Sequence, residues 1–185
     1  MLAGSSRSTP NGRSVRLRTA RMRQGARLSE VTAEVCRAWQ VSATILPMSD
    51  DPVRTQVHTD EGVLAFQRYF VARRCAPRTH KITFDGSQSA RPAPGVIAAI
   101  ETADLVAIAP SNPYLSIDPI LSVAEIAEAI KATKAPVIAV SPLVSGKSVK
   151  GPTDKLMQEL GFDVGNDAIV GHYQTLLDGL LIHEG

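Results

Sequence analysis

The residues best suited to chemistry follow two apolar segments in the second half of the chain. After residues 105–109 comes a loop with hydroxyl and amide side chains, held by two prolines. Residues 141–147 form a second polar loop, with a glycine and a lysine, after the apolar residues 136–140. Such groups can hydrogen-bond a phosphate or a base edge, although each loop alone is equally typical of a turn. The candidate residues of the first loop are Ser111, Asn112, Pro113 and Ser116.

A pair of adjacent acids is the second candidate site. Asp50 and Asp51 stand beside Ser49 after a short apolar segment, so we predict that they lie at the end of a strand. Carboxylates are suitable ligands for a hard cation such as Mg²⁺ that bridges substrate phosphates, and Asp50 is the candidate ligand. Acids in a turn beside proline are also commonly solvated, and spacing alone leaves both interpretations open.

Other well-known sites are not indicated. The four histidines lack the spacing of a zinc site, and the sequence contains neither GxxxxGK[ST] nor GxGxxG. Cys36 and Cys75 form no CxxC pair, so we predict reduced thiols.

The order of elements in the second half is typical of an α/β fold. Helices are predicted over residues 94–101 and 123–131, and buried strands over 105–109 and 136–140. Continuous apolar strands belong in parallel sheets that are covered on both faces. The sequence therefore predicts part of a doubly wound, mostly parallel Rossmann-like sheet with flanking helices. Ligands bind such sheets at the carboxyl ends of the strands, so both polar loops should lie at one edge.

The first half predicts a mixture of helices and strands. Apolar positions from Val15 to Val35 fit two helices, with Ser29 as the N-cap of the second. Further predictions are strands over 43–46, 53–58 and 80–84, and a helix over 61–73.

Composition limits the class of protein. The chain has 185 residues, a net charge of +2, 44% hydrophobic and 21% charged residues, as expected for one folded domain. Its apolar runs are far shorter than the roughly 20 residues that span a bilayer, so we expect a cytoplasmic protein without membrane contact.

Basic residues are concentrated at the start of the chain. Eight arginines and two acids occur through Gln40, which is compatible with a nucleic-acid arm or a transit peptide. Only Trp39 is available nearby for base stacking, so the arginines are better explained as the solvated side of helices and no nucleic-acid partner is expected. Residues 1–14, rich in Ser, Gly and Arg, predict a disordered lead.

Four groups of residues, taken in order, resemble the 2-phospho-L-lactate transferase family from about Val15 onward. They are Met48 to Val53, Gln56 to Tyr69, Pro110 to Pro113 with Ser116 to Leu121, and Val140 to Pro142 with Val149 to Pro152.

This resemblance implies a reaction and its partners. Family members transfer a phospholactyl or phosphoenolpyruvyl group from a guanosine-diphosphate-linked donor to a deazaflavin acceptor, with Mg²⁺ and release of GMP. By the resemblance, Ser111, Asn112 and Ser116 would line the nucleotide-diphosphate side, while Asp50 and Asp51 would face the transfer site. A homodimer is compatible with it.

The resemblance also implies a missing part. Similar family chains begin with a strand and a GGxGG-type loop that this sequence lacks, so we expect a truncated, inactive or separately completed transferase. We divide it into a 1–14 lead unlike the family, a 15–90 helical part and a 91–185 Rossmann-like part. A sheet without its first strand would expose an apolar face and an unpaired edge. The alternative is a non-catalytic nucleotide-sugar-binding regulatory protein related to the gluconeogenesis-factor family.

Overall fold

Two packed helices begin the described part of the chain. The computed structural model describes residues 10–183, with helices α1 (Pro10–Arg23) and α2 (Leu28–Ala38). The expected helix pair is confirmed. Residues 10–14, which we predicted to be disordered, belong to α1, because a proline at a helix start loses no hydrogen bond; residues 1–9 lie outside the described part. None of the helices described has the length and apolar character of a membrane span.

An antiparallel sheet of three strands follows, with β1 (Arg54–Thr59) between β2 (Gly62–Ala65) and β3 (Thr79–Asp85). Strands β1 (Arg54–Thr59) and β3 (Thr79–Asp85) confirm two of the sequence predictions. Val57 pairs with Leu64 on one side and with Ile82 on the other. Val57 is fully buried, so this row of side chains is the core face of the sheet.

The helix predicted over residues 61–73 is wrong. Gly62 adopts φ +97° and opens strand β2 (Gly62–Ala65), which folds back onto β1. The Thr59 hydroxyl donates to the Gly62 carbonyl oxygen over 2.8 Å and holds this turn. A short π-helix, Arg68–Ala72, takes up the rest of the segment. Gly62 favours the hairpin over a helix, because glycine adopts the left-handed backbone that closes a hairpin at little energetic cost.

The second half confirms the α/β prediction. Strands β4 (Val106–Ile108), β5 (Val137–Val140) and β8 (Gly179–Leu181) form a parallel sheet in the order β4-β5-β8. Helices α3 (Val96–Glu101) and α5 (Ala124–Ala132) pack against one face of it. The opposite face of β4 is exposed, whereas the apolar strands predict a sheet that is covered on both faces. The remaining elements are α4 (Asp118–Leu121), β6 (Leu143–Val144), β7 (Lys147–Ser148), α6 (Thr153–Glu159) and α7 (Asn166–Tyr173).

A core cluster joins the two sheets. From the antiparallel part it contains Val57, Leu64 and Tyr69, and these pack with buried residues of the second half. Those partners are Tyr114, Leu115, Leu143, Leu156, Met157, Ile169 and Tyr173. The 15–90 and 91–185 parts therefore share one hydrophobic core.

The strand predicted over residues 43–46 is wrong. Within the described residues this segment forms no strand, and the Ile45 side chain is 51% exposed. The first strand-like contact comes later, at an isolated bridge between Ser49 and Pro92. An apolar, β-branched segment forms a strand only where a neighbouring strand is available to pair with it.

Gly86 provides a test of the turn after β3. It has φ +90°, and an added Cβ would collide with the Pro52 carbonyl oxygen. We expect Gly86→Ala to lower the free energy of unfolding by about 2 kcal/mol or more, measured by urea denaturation. The matched control is Gly62→Ala, which has φ +97° but no atom within 4 Å of the added Cβ and should cost about 1 kcal/mol. If both variants lose the same free energy of unfolding, the contact of the added Cβ with the Pro52 carbonyl oxygen does not matter.

Candidate functional site

A cleft of about 780 Å³ opens at the carboxyl ends of β4 and β5. The first polar loop contributes Ser111, Asn112 and Ser116 to its lining, and the second loop contributes Ser141. The two loops thus lie at one edge of the parallel sheet, as the sequence predicted. Pro113 is buried at the start of the π-helix Pro113–Ile117 and is not among the residues that line the cleft.

Asn112 is the residue that fixes the shape of the first loop. Its side-chain Oδ1 accepts a hydrogen bond of 2.9 Å from the Leu115 N–H and caps the π-helix Pro113–Ile117. Its Nδ2 donates to the Thr153 hydroxyl over 3.1 Å. Both ends of the amide are therefore in use, and they tie the loop to the start of α6.

Ser141 plays the same part in the second loop. Its hydroxyl donates to Oδ1 of Asn166 over 2.6 Å and accepts from the Leu143 N–H over 3.1 Å. Its own N–H donates to the Leu181 carbonyl oxygen over 2.8 Å, beside β8. The second loop is thus anchored to both α7 and β8.

The cleft is suited to an anionic, ring-containing ligand. Lys150 and the imidazole of His183 are the basic groups among its described lining residues, which include no carboxylate. Phe66 and Phe70 form an apolar wall, with ring centroids 5.3 Å apart. A carboxylate-free cleft beside an ammonium group favours phosphate, and aromatic side chains favour a planar ring.

Sequence reasoning missed Phe66, Phe70 and Thr153 as site residues. Both phenylalanines lie within the predicted helix over residues 61–73, and only Phe66 belongs to a segment that resembles the family. Thr153 meets Asn112 across 41 positions of the chain, and no local pattern reports such a contact.

The acid pair makes structural contacts. The Asp50 carboxylate accepts from both the N–H (2.7 Å) and the hydroxyl (2.8 Å) of Ser29 at the start of α2. The Asp51 carboxylate accepts from the Arg91 N–H over 3.0 Å, and the Ser49 hydroxyl donates to the Arg91 carbonyl oxygen over 2.6 Å. Ser29 therefore presents its hydrogen-bond donors to Asp50 and is not the N-cap of α2, a position that Arg27 holds.

The described lining of the cleft contains no carboxylate that could bind a magnesium ion. Ser49, Asp50 and Asp51 are not among the residues that line it. Within the described part, no three His, Cys, Asp or Glu residues are grouped so that they could hold a metal ion. The described lining therefore offers Mg²⁺ no carboxylate of its own, and the magnesium role stays a prediction.

A hydrogen bond between His172 and Asp118 supports the segment after the first loop. His172 Nε2 lies 2.7 Å from Asp118 Oδ1, and the His172 ring packs edge-on against Tyr114 and Tyr173. Burial, assisted by the Asp118 carboxylate, raises the pKa of Tyr114 to about 12. His172 lies outside the cleft lining, and its contacts are those of a support for the loop.

Comparison with known proteins gives a consistent picture. Residues 3–185 match the family model described as 2-phospho-L-lactate transferase CofD, and the match begins inside the 1–14 segment that we had set apart. The phosphoenolpyruvate transferase of Mycolicibacterium smegmatis is 37% identical over 180 residues, 91% of this chain and 55% of that protein. The 2-phospho-L-lactate transferase of Methanosarcina mazei is 36% identical over 168 residues, again 91% and 55%. The chain spans about half the length of these curated relatives.

Solved structures share the fold. The crystal structure of protein BH3568 from Bacillus halodurans superposes with a TM-score of 0.65 at 19% identity, covering 91% of this chain and 52% of that one. A second crystal structure of that protein, described as a member of the UPF0052 family, gives the same values. At this identity the likeness concerns the fold alone.

Asp50 allows its capping role to be tested. We expect Asp50→Ala to lower the free energy of unfolding by about 1–2 kcal/mol, because α2 loses the acceptor for two Ser29 donors. Asp163→Ala, which removes an exposed acid, is the control and should change stability by less than about 0.5 kcal/mol. Chemical denaturation with and without Mg²⁺ measures both. If Mg²⁺ stabilises the original chain and this effect disappears in Asp50→Ala, the purely structural role is wrong.

Proposed function

Because the chain belongs to the 2-phospho-L-lactate transferase CofD family, we propose that its cleft binds a guanosine-diphosphate-linked donor. In this proposal a phospholactyl or phosphoenolpyruvyl group passes from the donor to a deazaflavin acceptor, and GMP is released. The curated relatives are nearly twice as long as the part of them that matches this chain. For this chain itself we therefore propose donor binding, and the transfer step is a separate proposal.

One observation carries the proposal: Ser111, Asn112, Ser116 and Ser141 converge on one carboxylate-free cleft. Its volume of about 780 Å³ is in the range that small-molecule sites occupy. The hydroxyls and the backbone donors of the loops suit diphosphate oxygens, and Lys150 adds a positive charge. The phenylalanine wall supplies a surface for a planar ring.

The proposed transfer is a substitution at phosphorus. The acceptor hydroxyl oxygen forms a bond to the phosphorus that carries the lactyl or enolpyruvyl group. The bond from that phosphorus to the bridging oxygen of the diphosphate breaks, GMP leaves with the electron pair, and the hydroxyl proton passes to solvent. Donors held by Asn112 and Ser141, with Lys150, would stabilise the charge that develops on the diphosphate.

The roles implied for Mg²⁺ and for the acid pair stay predictions. A Mg²⁺ ion would neutralise diphosphate charge, but the described lining of the cleft supplies no carboxylate ligand for it. Asp50 and Asp51 have their carboxylates occupied by Ser29 and Arg91. The donor-binding proposal for this chain therefore rests on the loops.

We further propose that transfer requires the part of the family domain outside the match to this chain. If so, the purified chain binds nucleotide but forms no product from donor and deazaflavin with Mg²⁺. Product should appear when that part of a curated relative is supplied. Turnover by the chain alone would contradict this requirement.

Nucleotide selectivity tests the donor proposal. Calorimetric titration should show GDP binding at least tenfold more tightly than a UDP-sugar such as UDP-N-acetylglucosamine. The opposite preference would support the alternative of a nucleotide-sugar-binding regulatory protein. Binding of neither nucleotide would overturn both.

Asn112 should be required for this affinity. We expect Asn112→Ala to weaken GDP binding at least tenfold, about 1.4 kcal/mol, because the loop loses its bonds to Leu115 and Thr153. The control is Gln158→Ala, which removes an exposed amide from α6 outside the cleft lining and should leave affinity unchanged. If the two variants bind GDP with equal affinity, the first loop takes no part in nucleotide binding.

A further inference from the structure

A side pocket of about 380 Å³ adjoins the cleft. Three residues line both cavities, namely Phe70, Gly151 and Pro152. The other lining residues of the side pocket are Arg74, Cys75 and Lys155. Its described lining therefore has two basic side chains and no carboxylate. Because the two cavities share one wall, a ligand that fills the cleft can extend into the side pocket.

The side pocket lies next to the polar end of the cleft. Thr153, whose hydroxyl accepts a hydrogen bond of 3.1 Å from Asn112 of the first loop, directly follows Gly151 and Pro152 in the chain. Lys150, which also lines the cleft, directly precedes them. A phosphate held by the first loop and Lys150 therefore lies beside the shared wall, and the next group of the ligand can reach the side pocket.

Arg74 is the positive charge that the side pocket offers to a ligand. Its guanidinium group makes no ion pair or hydrogen bond with the residues that the structure describes. Lys155 is compensated, since its ammonium group donates to the Glu159 carboxylate over 2.6 Å and to the Pro77 carbonyl oxygen over 2.9 Å. The planar guanidinium group suits a carboxylate, which it can bind through two parallel hydrogen bonds.

A tight turn after the π-helix Arg68–Ala72 positions Arg74. Arg74 and Cys75 have φ angles of +49° and +57°, which residues other than glycine rarely adopt. The Cys75 N–H donates to the carbonyl oxygen of Tyr69 over 3.0 Å, and Tyr69 is fully buried. The turn is thus anchored in the core, so the backbone of Arg74 is already ordered before a ligand binds.

We propose that the side pocket binds the carboxylate of the group that is transferred, with Arg74 as its partner. This inference rests on the proposed donor, whose lactyl or enolpyruvyl group carries a carboxylate. With the diphosphate at the two loops and Lys150, that carboxylate is the remaining anionic group of the donor, and it lies one group beyond the second phosphorus. Arg74 is then a specificity-determining residue, which selects a donor with a carboxylate over the same diphosphate without one.

Two ligands that differ by the carboxylate alone test the inference. The first is the guanosine-diphosphate-linked phospholactate donor, and the second is the ethyl ester of GDP, in which a hydrogen atom replaces the carboxylate. Calorimetric titration should show that the donor binds about tenfold or more tightly than the ethyl ester, because a charge-assisted pair of hydrogen bonds is lost in the ester. Titration with GDP tests the donor proposal itself.

Variants of Arg74 locate the contact. Arg74→Ala should bind the donor and the ethyl ester with equal affinity, and Arg74→Lys, which keeps the charge but loses the planar fork, should retain part of the preference. The control is Arg78→Ala, which removes an exposed arginine that lines neither cavity and should keep the full preference. The preference is a ratio within each variant, so a general loss of affinity lowers both values and leaves it unchanged.

The outcomes separate this inference from the donor proposal. GDP binding without a preference for the donor over the ethyl ester would overturn the carboxylate site and leave the donor proposal in place. A preference that Arg74→Ala keeps, or that Arg78→Ala loses to the same extent, would also overturn the role of Arg74. If the chain binds none of the three ligands, the donor proposal is wrong and the carboxylate site is wrong with it.

Discussion

The parallel pairing of β4 with β5 is the contact on which the candidate site depends. Val106 pairs with Val137 and Ile108 with Ala139, so both strands end at the same edge of the sheet. The loops that leave them therefore meet, and an antiparallel pair would have sent one loop to the opposite end. The pairing sets where the two loops lie. The hydrogen bonds of Asn112 and Ser141 then fix the shape of each loop.

Local patterns predicted the parts of the structure that local interactions determine. The apolar runs of β4 and β5 identified a parallel sheet, and the carboxyl-edge rule then brought Ser111, Asn112 and Ser116 to the site. The helix expected over residues 61–73 failed because one glycine favoured a hairpin. The role of Asp50 was not readable, since it depends on Ser29, 21 positions away. Contacts of this range arise from the assembled fold and leave no signal in spacing.

The antiparallel sheet holds the aromatic wall of the cleft in place. Tyr69, between Phe66 and Phe70, is fully buried, and its hydroxyl accepts from the Thr79 hydroxyl over 3.1 Å. The Thr79 N–H donates to the Glu159 carboxylate over 3.0 Å, which joins β3 to α6. Burial raises the pKa of Tyr69, so the phenol stays neutral and suited to this apolar setting. The first half of the chain thus shapes a site whose polar residues all come from the second half.

The acid pair connects the start of helix α2 to the cleft through α3 and β4. Asp50 holds the start of α2, and Asp51, the next residue, holds the Arg91 N–H shortly before α3. Helix α3 packs on β4, and β4 leads directly into the Ser111 loop. Each step is a direct contact in the structure, so the path acts as a brace for the loop. Because an ordered loop loses less entropy when a ligand binds, such a brace favours nucleotide affinity without any direct contact.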